Sequence, residues 1–125
     1  MIVLMYQEFV PTREGEYQIY LSLRVSKDGR DWKEHLRFAG PYRFFGSETT
    51  IFSFAVTPSG VITVAVLASE NKIDFYASKD SGETFQNSSS TITERTTLAP
   101  RLFAKEDGGL LLFVTQERGD ILSIL

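Results

Sequence analysis

Apolar and polar residues change places along this chain in short runs, each closed after a few residues by Gly, Pro, Asp, Asn or Ser. Runs rich in β-branched and aromatic side chains at that spacing predict many short strands. Strands are expected near Ile2–Phe9, Gln18–Val25, Lys33–Phe38, Ile51–Val56, Val61–Leu67, Lys72–Ala77, Thr91–Glu94, Arg101–Lys105, Leu110–Gln116 and Ile121–Leu125. Val61–Val66 and Leu110–Val114 are apolar almost throughout and need cover on both faces, whereas Lys72–Tyr76 alternates and needs cover on one. Inner and outer strands of a layered sheet read this way. No segment has helical periodicity, so the expected fold class is all-β.

Two repeats run through the strand pattern. Ser26-Lys27-Asp28-Gly29-Arg30-Asp31-Trp32 and Ser78-Lys79-Asp80-Ser81-Gly82-Glu83-Thr84-Phe85 share the order Ser, any residue, Asp, a Gly-bearing turn and an aromatic, and their first residues lie 52 apart. Separately, the run from Thr50 to Val64 overlies the run from Ala99 to Phe113 without a gap, an offset of 49 that sets Gly60 on Gly109. A period of that length is one four-stranded sheet, which favours a propeller over a generic sandwich. The chemistry of the Ser-x-Asp segments is that of a hairpin clamp. Asp28 and Asp80 stand where a tight turn leaves backbone N–H groups without partners, and a short carboxylate accepts from them. Gly29 and Gly82 supply positive φ. Trp32 and Phe85 fold over the hairpin, each contributing on the order of 1.5–3 kcal/mol when fully covered.

These residues resemble the Asp box, or BNR repeat, of sialidases and several other propeller proteins. The second box has the usual Ser-x-Asp-x-Gly-x-Thr-aromatic spelling, through Ser78, Asp80, Gly82 and Thr84, with Phe85 where Trp is commoner. The first is one residue shorter, because Gly29 follows Asp28 directly. The resemblance implies a partial β-propeller of four-stranded antiparallel blades, about two and a half of them in one incomplete segment. Residues 1–45 would be strands two to four of one blade, 46–97 a complete blade and 98–125 strands one to three of a third. In the family the box joins the third and fourth strands at the outer part of a blade, so Asp28 and Asp80 are expected to be structural and not catalytic acids. A third box is expected at residue 127, two positions past Leu125. Because propellers close from 4–8 blades, the chain is expected either to belong to a longer protein or to self-associate through open strand edges such as Ile121–Leu125.

The resemblance further implies a glycan-processing protein, an exo-sialidase or related glycosidase, inactive as this short chain. The alternative is a non-catalytic propeller scaffold for glycan or protein binding, completed by oligomerisation. A sialidase needs three arginines on a substrate carboxylate, a tyrosine nucleophile with a glutamate partner, and an aspartate as acid and base. The chain lacks that full set, and Ala99-Pro100-Arg101-Leu102 only echoes the family's aromatic-Arg-Ile-Pro motif. Arg95 and Arg101 flank the start of the third inner strand, where bidentate guanidinium groups suit a carboxylate, although a solvated or strand-pairing role is the plainer reading of Arg101. Glu48 and Glu94 precede inner strands and are the candidate general bases or acceptors from sugar hydroxyls. Tyr42, in the connection Tyr42-Arg43-Phe44-Phe45, would stack on a sugar or fill the gap between sheets, the second being favoured.

Composition narrows the partners. With 125 residues and 42% hydrophobic content the chain supports one packed core. Its 13 basic and 16 acidic residues are interspersed, with a net charge of -3, which argues against nucleic acid. No apolar run approaches the roughly 20 residues that cross a bilayer, and Met1–Tyr6 has neither a basic leader nor a cleavage site, so no membrane or export signal is expected in this chain. The family resemblance leans towards a secreted or cell-surface setting. Without Cys there are no disulfides or thiolate metal sites. His35, the single histidine, is expected to face solvent; no metal or cofactor is expected. Asn87-Ser88-Ser89 has the spelling of a glycosylation acceptor.

Overall fold

The computed structural model describes residues 1–12, 16–43, 50–92, 98–115 and, for the backbone, 121–123. No helix occurs among them. The strands are β1 (Ile2–Pro11), β2 (Tyr17–Ser26), β3 (Leu36–Arg43), β4 (Phe52–Val56), β5 (Ile62–Ser69), β6 (Lys72–Ser78), β7 (Gln86–Thr91), β8 (Arg101–Ala104), β9 (Leu110–Thr115) and β10 (Ile121–Ser123). They form three antiparallel sheets ordered β1-β2-β3, β4-β5-β6-β7 and β8-β9-β10, each a meander in chain order. Glu48, Glu94 and Arg95 lie outside the described residues.

Two strands depart from the sequence expectation. The fourth strand of the second sheet was expected at Thr91–Glu94, but β7 is Gln86–Thr91 and starts as soon as the hairpin ends. Its sequence, Gln-Asn-Ser-Ser-Ser-Thr, is exposed along its whole length, so it has no apolar alternation to announce it. Polar edge strands of this kind are held by their ladder alone. The other departure is β3, expected at Lys33–Phe38 and found at Leu36–Arg43. Trp32 makes an isolated bridge to Ser26 and the Lys33 N–H donates to the Val25 carbonyl, after which the ladder resumes only at Leu36. It then continues through Gly40-Pro41, residues that read as a breaker, because β3 bulges there. Tyr42 is therefore a strand residue, paired with Ile19, and not part of a connection.

The turns that follow β4 and β8 close the same bonds, with one correction to the expected alignment. In the turn after β4, Thr57 N–H donates to Val61 C=O and Gly60 N–H to Thr57 C=O; in the turn after β8, Lys105 and Gly108 repeat those bonds with Gly109 and Lys105. Gly60 and Gly108 both have φ near +90°. The offset is thus 48 and not 49, and Gly60 matches Gly108 where the sequence run set it on Gly109. One residue matters, since a shift of one moves every side chain to the opposite face. At an offset of 48 the fully buried Val64 and Val66 coincide with the fully buried Leu112 and Val114.

The sheets stack face to face over one shared core. Along β5, Ile62, Val64 and Val66 face the first sheet, where Leu23 and Val25 meet Ile62 around Gly82. Thr63, Ala65 and Leu67 face the third sheet, on the side where Ser53 of β4 receives the Leu102 N–H. This double cover is what the continuous apolar run of β5 required, and five of its residues from Ile62 to Leu67 are no more than 1% exposed.

Candidate functional site

The two Ser-x-Asp hairpins fold into the same circuit. Each leaves the end of a strand, β2 or β6, at a buried serine. Ser26 Oγ donates to Asp28 and accepts from Gly29 N–H at 2.8 Å; Asp28 Oδ1 then accepts from Arg30 and Asp31 N–H at 2.8 and 3.0 Å. Ser78 Oγ donates to Asp80 and accepts from Gly82 N–H at 2.8 Å, while Asp80 accepts from the Thr84 N–H at 2.9 Å and from the Thr84 hydroxyl. Both carboxylates are consumed by the turn's own donors. The missing residue in the first hairpin is absorbed because Gly29 takes the place of Gly82, at φ +80° against +86°. Neither carboxylate has the raised affinity for a proton that an acid catalyst needs. Thr84 and then Ser78 hold Asp80 down to about 2, and the Asp31 and Arg30 amides lower Asp28.

That depression has a consequence for acid stability. A carboxylate whose folded value lies below its unfolded one contributes stability that is present above the unfolded value, and loses it as pH falls through the folded value. Asp80, starting from 3.8 and reaching about 2, should lose its contribution between roughly pH 4 and pH 2. The difference in melting temperature between wild type and Asp80→Ala should therefore be full at pH 6 and shrink on acidification across that window. A difference independent of pH would mean that the carboxylate is not what the turn uses.

The aromatic residues of the hairpins are half-buried. Trp32 bridges back to Ser26. Phe85 reaches across to the first sheet and stacks on Phe38 with centroids 4.3 Å apart, and Phe38 stands edge-on to Tyr76 at 5.5 Å. Next to them Tyr42, 8% exposed, crosses the same junction. Its hydroxyl is 2.7 Å from Asp74 Oδ2 and 2.7 Å from the Tyr76 hydroxyl. Burial first, and the Tyr76 and Asp74 bonds second, push Tyr42 far above the ordinary phenol range, so it remains a neutral donor. Asp74 also accepts from Ser89 at 2.6 Å and lies 3.6 Å from Lys72. Of the two roles open to Tyr42, the gap between sheets is the one its geometry serves.

A cleft of about 400 Å³ opens where β4 and β8 begin, lined by Thr50, Phe52, Ser53, Leu98, Pro100, Arg101 and Thr115 among others. Arg101, the first residue of β8, is exposed at its rim. The mixture of an apolar floor, hydroxyls and one guanidinium suits a sugar bearing an acidic group. Arg101 and Tyr42 are not brought together: Tyr42 sits between the first two sheets and Arg101 beside the second and third.

One constellation escaped the sequence reading. On the far face of the first sheet Glu8 accepts from the fully buried Ser22 and from Arg37 at 2.9 Å, with His35 Nε2 3.5 Å away, and the Arg37 guanidinium lies 4.1 Å over the Tyr20 ring. Arg37, then Ser22, lower Glu8 below the usual carboxylate range. Glu8 and Arg37 are 29 residues apart and meet only through the ladder, so only the β1-β2-β3 register could have found them. His35 is half-exposed as expected, with this carboxylate as neighbour. No group of three or more His, Asp and Glu side chains among the described residues is placed to hold a metal ion.

Comparison of the chain with protein-family models, curated proteins and solved structures finds no match.

Proposed function

We propose that this chain is a segment of a sialidase-like Asp-box β-propeller belonging to a glycan-processing protein, in which the described residues supply glycan contact and not bond cleavage. The observation that carries the reading is the identity of the two hairpin circuits: Ser, Asp and Gly close the same bonds at the same place in two consecutive sheets, joining β2 to β3 and β6 to β7. Repetition of one turn chemistry at one sheet position is the signature of blades. On this reading the three sheets are strands two to four, one to four and one to three of successive blades, and the cleft at Arg101 opens towards the propeller axis.

A second reading, a non-catalytic scaffold, is favoured by the engagement of the Tyr42 hydroxyl with Asp74 and Tyr76, which leaves it no free face for a substrate. A glycan array and a fluorogenic sialoside assay on the purified chain separate the two. Binding of acidic over neutral glycans, weakened about tenfold or more by Arg101→Ala, is the expected result for the glycan-contact reading, a loss of one charge-assisted pair. Turnover of the sialoside would overthrow both the scaffold reading and the assignment of these residues to contact alone. Absence of binding to any glycan would leave the scaffold with protein partners.

A further inference from the structure

The cleft at the start of β4 and β8 has an apolar part, with Phe52, Leu98 and Pro100, and a polar part, with Thr50, Ser53 and Arg101. No carboxylate is among the described residues that line it. Arg37 and Arg43 are held by Glu8 and Glu16, whereas Arg101 has no acidic partner among the described residues. A guanidinium in a cleft without a carboxylate favours an anionic group as its partner.

Ser53 is tied to Arg101 through the backbone. The ladder from Arg101↔Phe113 to Ala104↔Leu110, continued by the Lys105 N–H on the Gly109 carbonyl, turns the Leu102 N–H away from β9. Leu102 is 4% exposed, and a buried N–H that faces away from its own ladder needs an acceptor. Ser53 Oγ of β4 supplies it at 3.1 Å. Accepting that bond occupies one side of the hydroxyl, so its hydrogen points elsewhere, and no acceptor for it is found among the described residues. The N–H that donates to the oxygen also polarises the O–H. Ser53 thus brings to the cleft a donor whose rotation is fixed by the residue next to Arg101. At the offset of 48 that aligns the turns after β4 and β8, Ser53 falls on Arg101 itself, so one position of two consecutive inner strands carries a donor in both.

We propose that Ser53 is a ligand-binding residue of this cleft, donating to the anionic group that Arg101 pairs with and so helping to select acidic over neutral glycans. The proposal rests on the reading of the cleft as a glycan site, and adds a contact that carries no charge. A carboxylate that accepts two bonds from a guanidinium has lone pairs left for a hydroxyl. Ser53 supplies that third bond, and the Leu102 N–H stays out of the ligand's reach because Ser53 has taken it.

Titration of the purified chain with sialyllactose, and with lactose as the same glycan without its acidic sugar, tests this. Ser53→Ala should weaken sialyllactose binding about tenfold, the loss of one hydrogen bond to a charged group, and reduce the preference over lactose by the same factor. Ser53→Thr keeps the hydroxyl and should restore most of that loss. Ser53→Asp separates donation from support of β8. Its carboxylate still accepts the Leu102 N–H but has no proton to give and repels the anion, so this variant should stay folded and bind sialyllactose on the order of 100-fold more weakly. Thermal melting checks the fold of each; if Ser53→Ala unfolds through its orphaned N–H, Ser53→Thr and Ser53→Asp carry the comparison. Undiminished binding by Ser53→Asp, or equal weakening in Ser53→Ala and Ser53→Thr, overturns the role of Ser53, and the cleft stands as the site if Arg101→Ala still weakens binding. Sialyllactose binding that Arg101→Ala leaves unchanged, or none by wild type, overturns the glycan reading of the cleft and this proposal with it.

Discussion

Gly40→Ala should be the most damaging single methyl group that can be added to this chain, lowering stability by about 3–5 kcal/mol as left-handed strain adds to a backbone clash. Gly40 has φ +111°, and a Cβ there would lie 2.7 Å from the Ile19 carbonyl oxygen and 3.0 Å from the Tyr20 Cα. Backbone of a central strand cannot retreat as a side-chain tip can. The effect should extend beyond stability, because the β3 bulges set the phase of the strand. Ser22 pairs with Arg37, Leu21 with Ala39 and Ile19 with Tyr42, so β3 spends extra residues around Phe38 and Gly40. Those extra residues put Phe38, Ala39 and Tyr42 all against the second sheet, where a regular strand would have turned some of them away. Gly40→Ala should therefore also weaken the near-ultraviolet signal of the Phe38, Tyr42, Tyr76 and Phe85 group. Denaturant unfolding and near-ultraviolet circular dichroism are the measurements. A loss under 1 kcal/mol would show that β3 can continue without the bulge.

Gly82→Ala is the second, expected to cost about 2–4 kcal/mol, again from strain together with overpacking. Gly82 has φ +86°, and an added Cβ meets Leu23 Cδ1 at 2.8 Å and Val25 Cγ2 at 3.3 Å. The contact is with side chains of the first sheet, so this glycine of the second hairpin packs directly against that sheet. Gly60→Ala is the control. It has a similar φ of +90° but nothing within 4 Å of the added atom, and should cost about 1 kcal/mol from backbone strain alone. Equal losses at Gly60 and Gly82 would show that turn conformation, and not inter-sheet packing, explains the glycine of the hairpin.

Much of this was legible in the chain. Strong local patterns located the strands whose side chains are buried, β5 and β9 above all, since apolar runs cannot be satisfied except by cover. The hairpin chemistry was equally legible, because the bonds that Asp28 and Asp80 accept and that Gly29 and Gly82 donate reach no further than four residues along the chain. Strand β7 was misplaced for the opposite reason: its polar residues carry no burial signal, and the ladder with β6 alone makes it a strand. Strand β3 was cut short because Gly-Pro is a breaker in isolation and a bulge when a neighbouring strand supplies partners on either side of it.

What the residue order determined by itself was the all-β class, the meander and the two clamped turns, each a consequence of interactions between near neighbours. Only the tertiary structure decided the offset of 48, the turning of Tyr42 into the junction with Asp74 and Tyr76, and the meeting of Glu8 with Ser22 and Arg37. These depend on strand register and on which face meets which sheet. A register shift of one residue leaves composition and local pattern unchanged while sending every side chain to the other side.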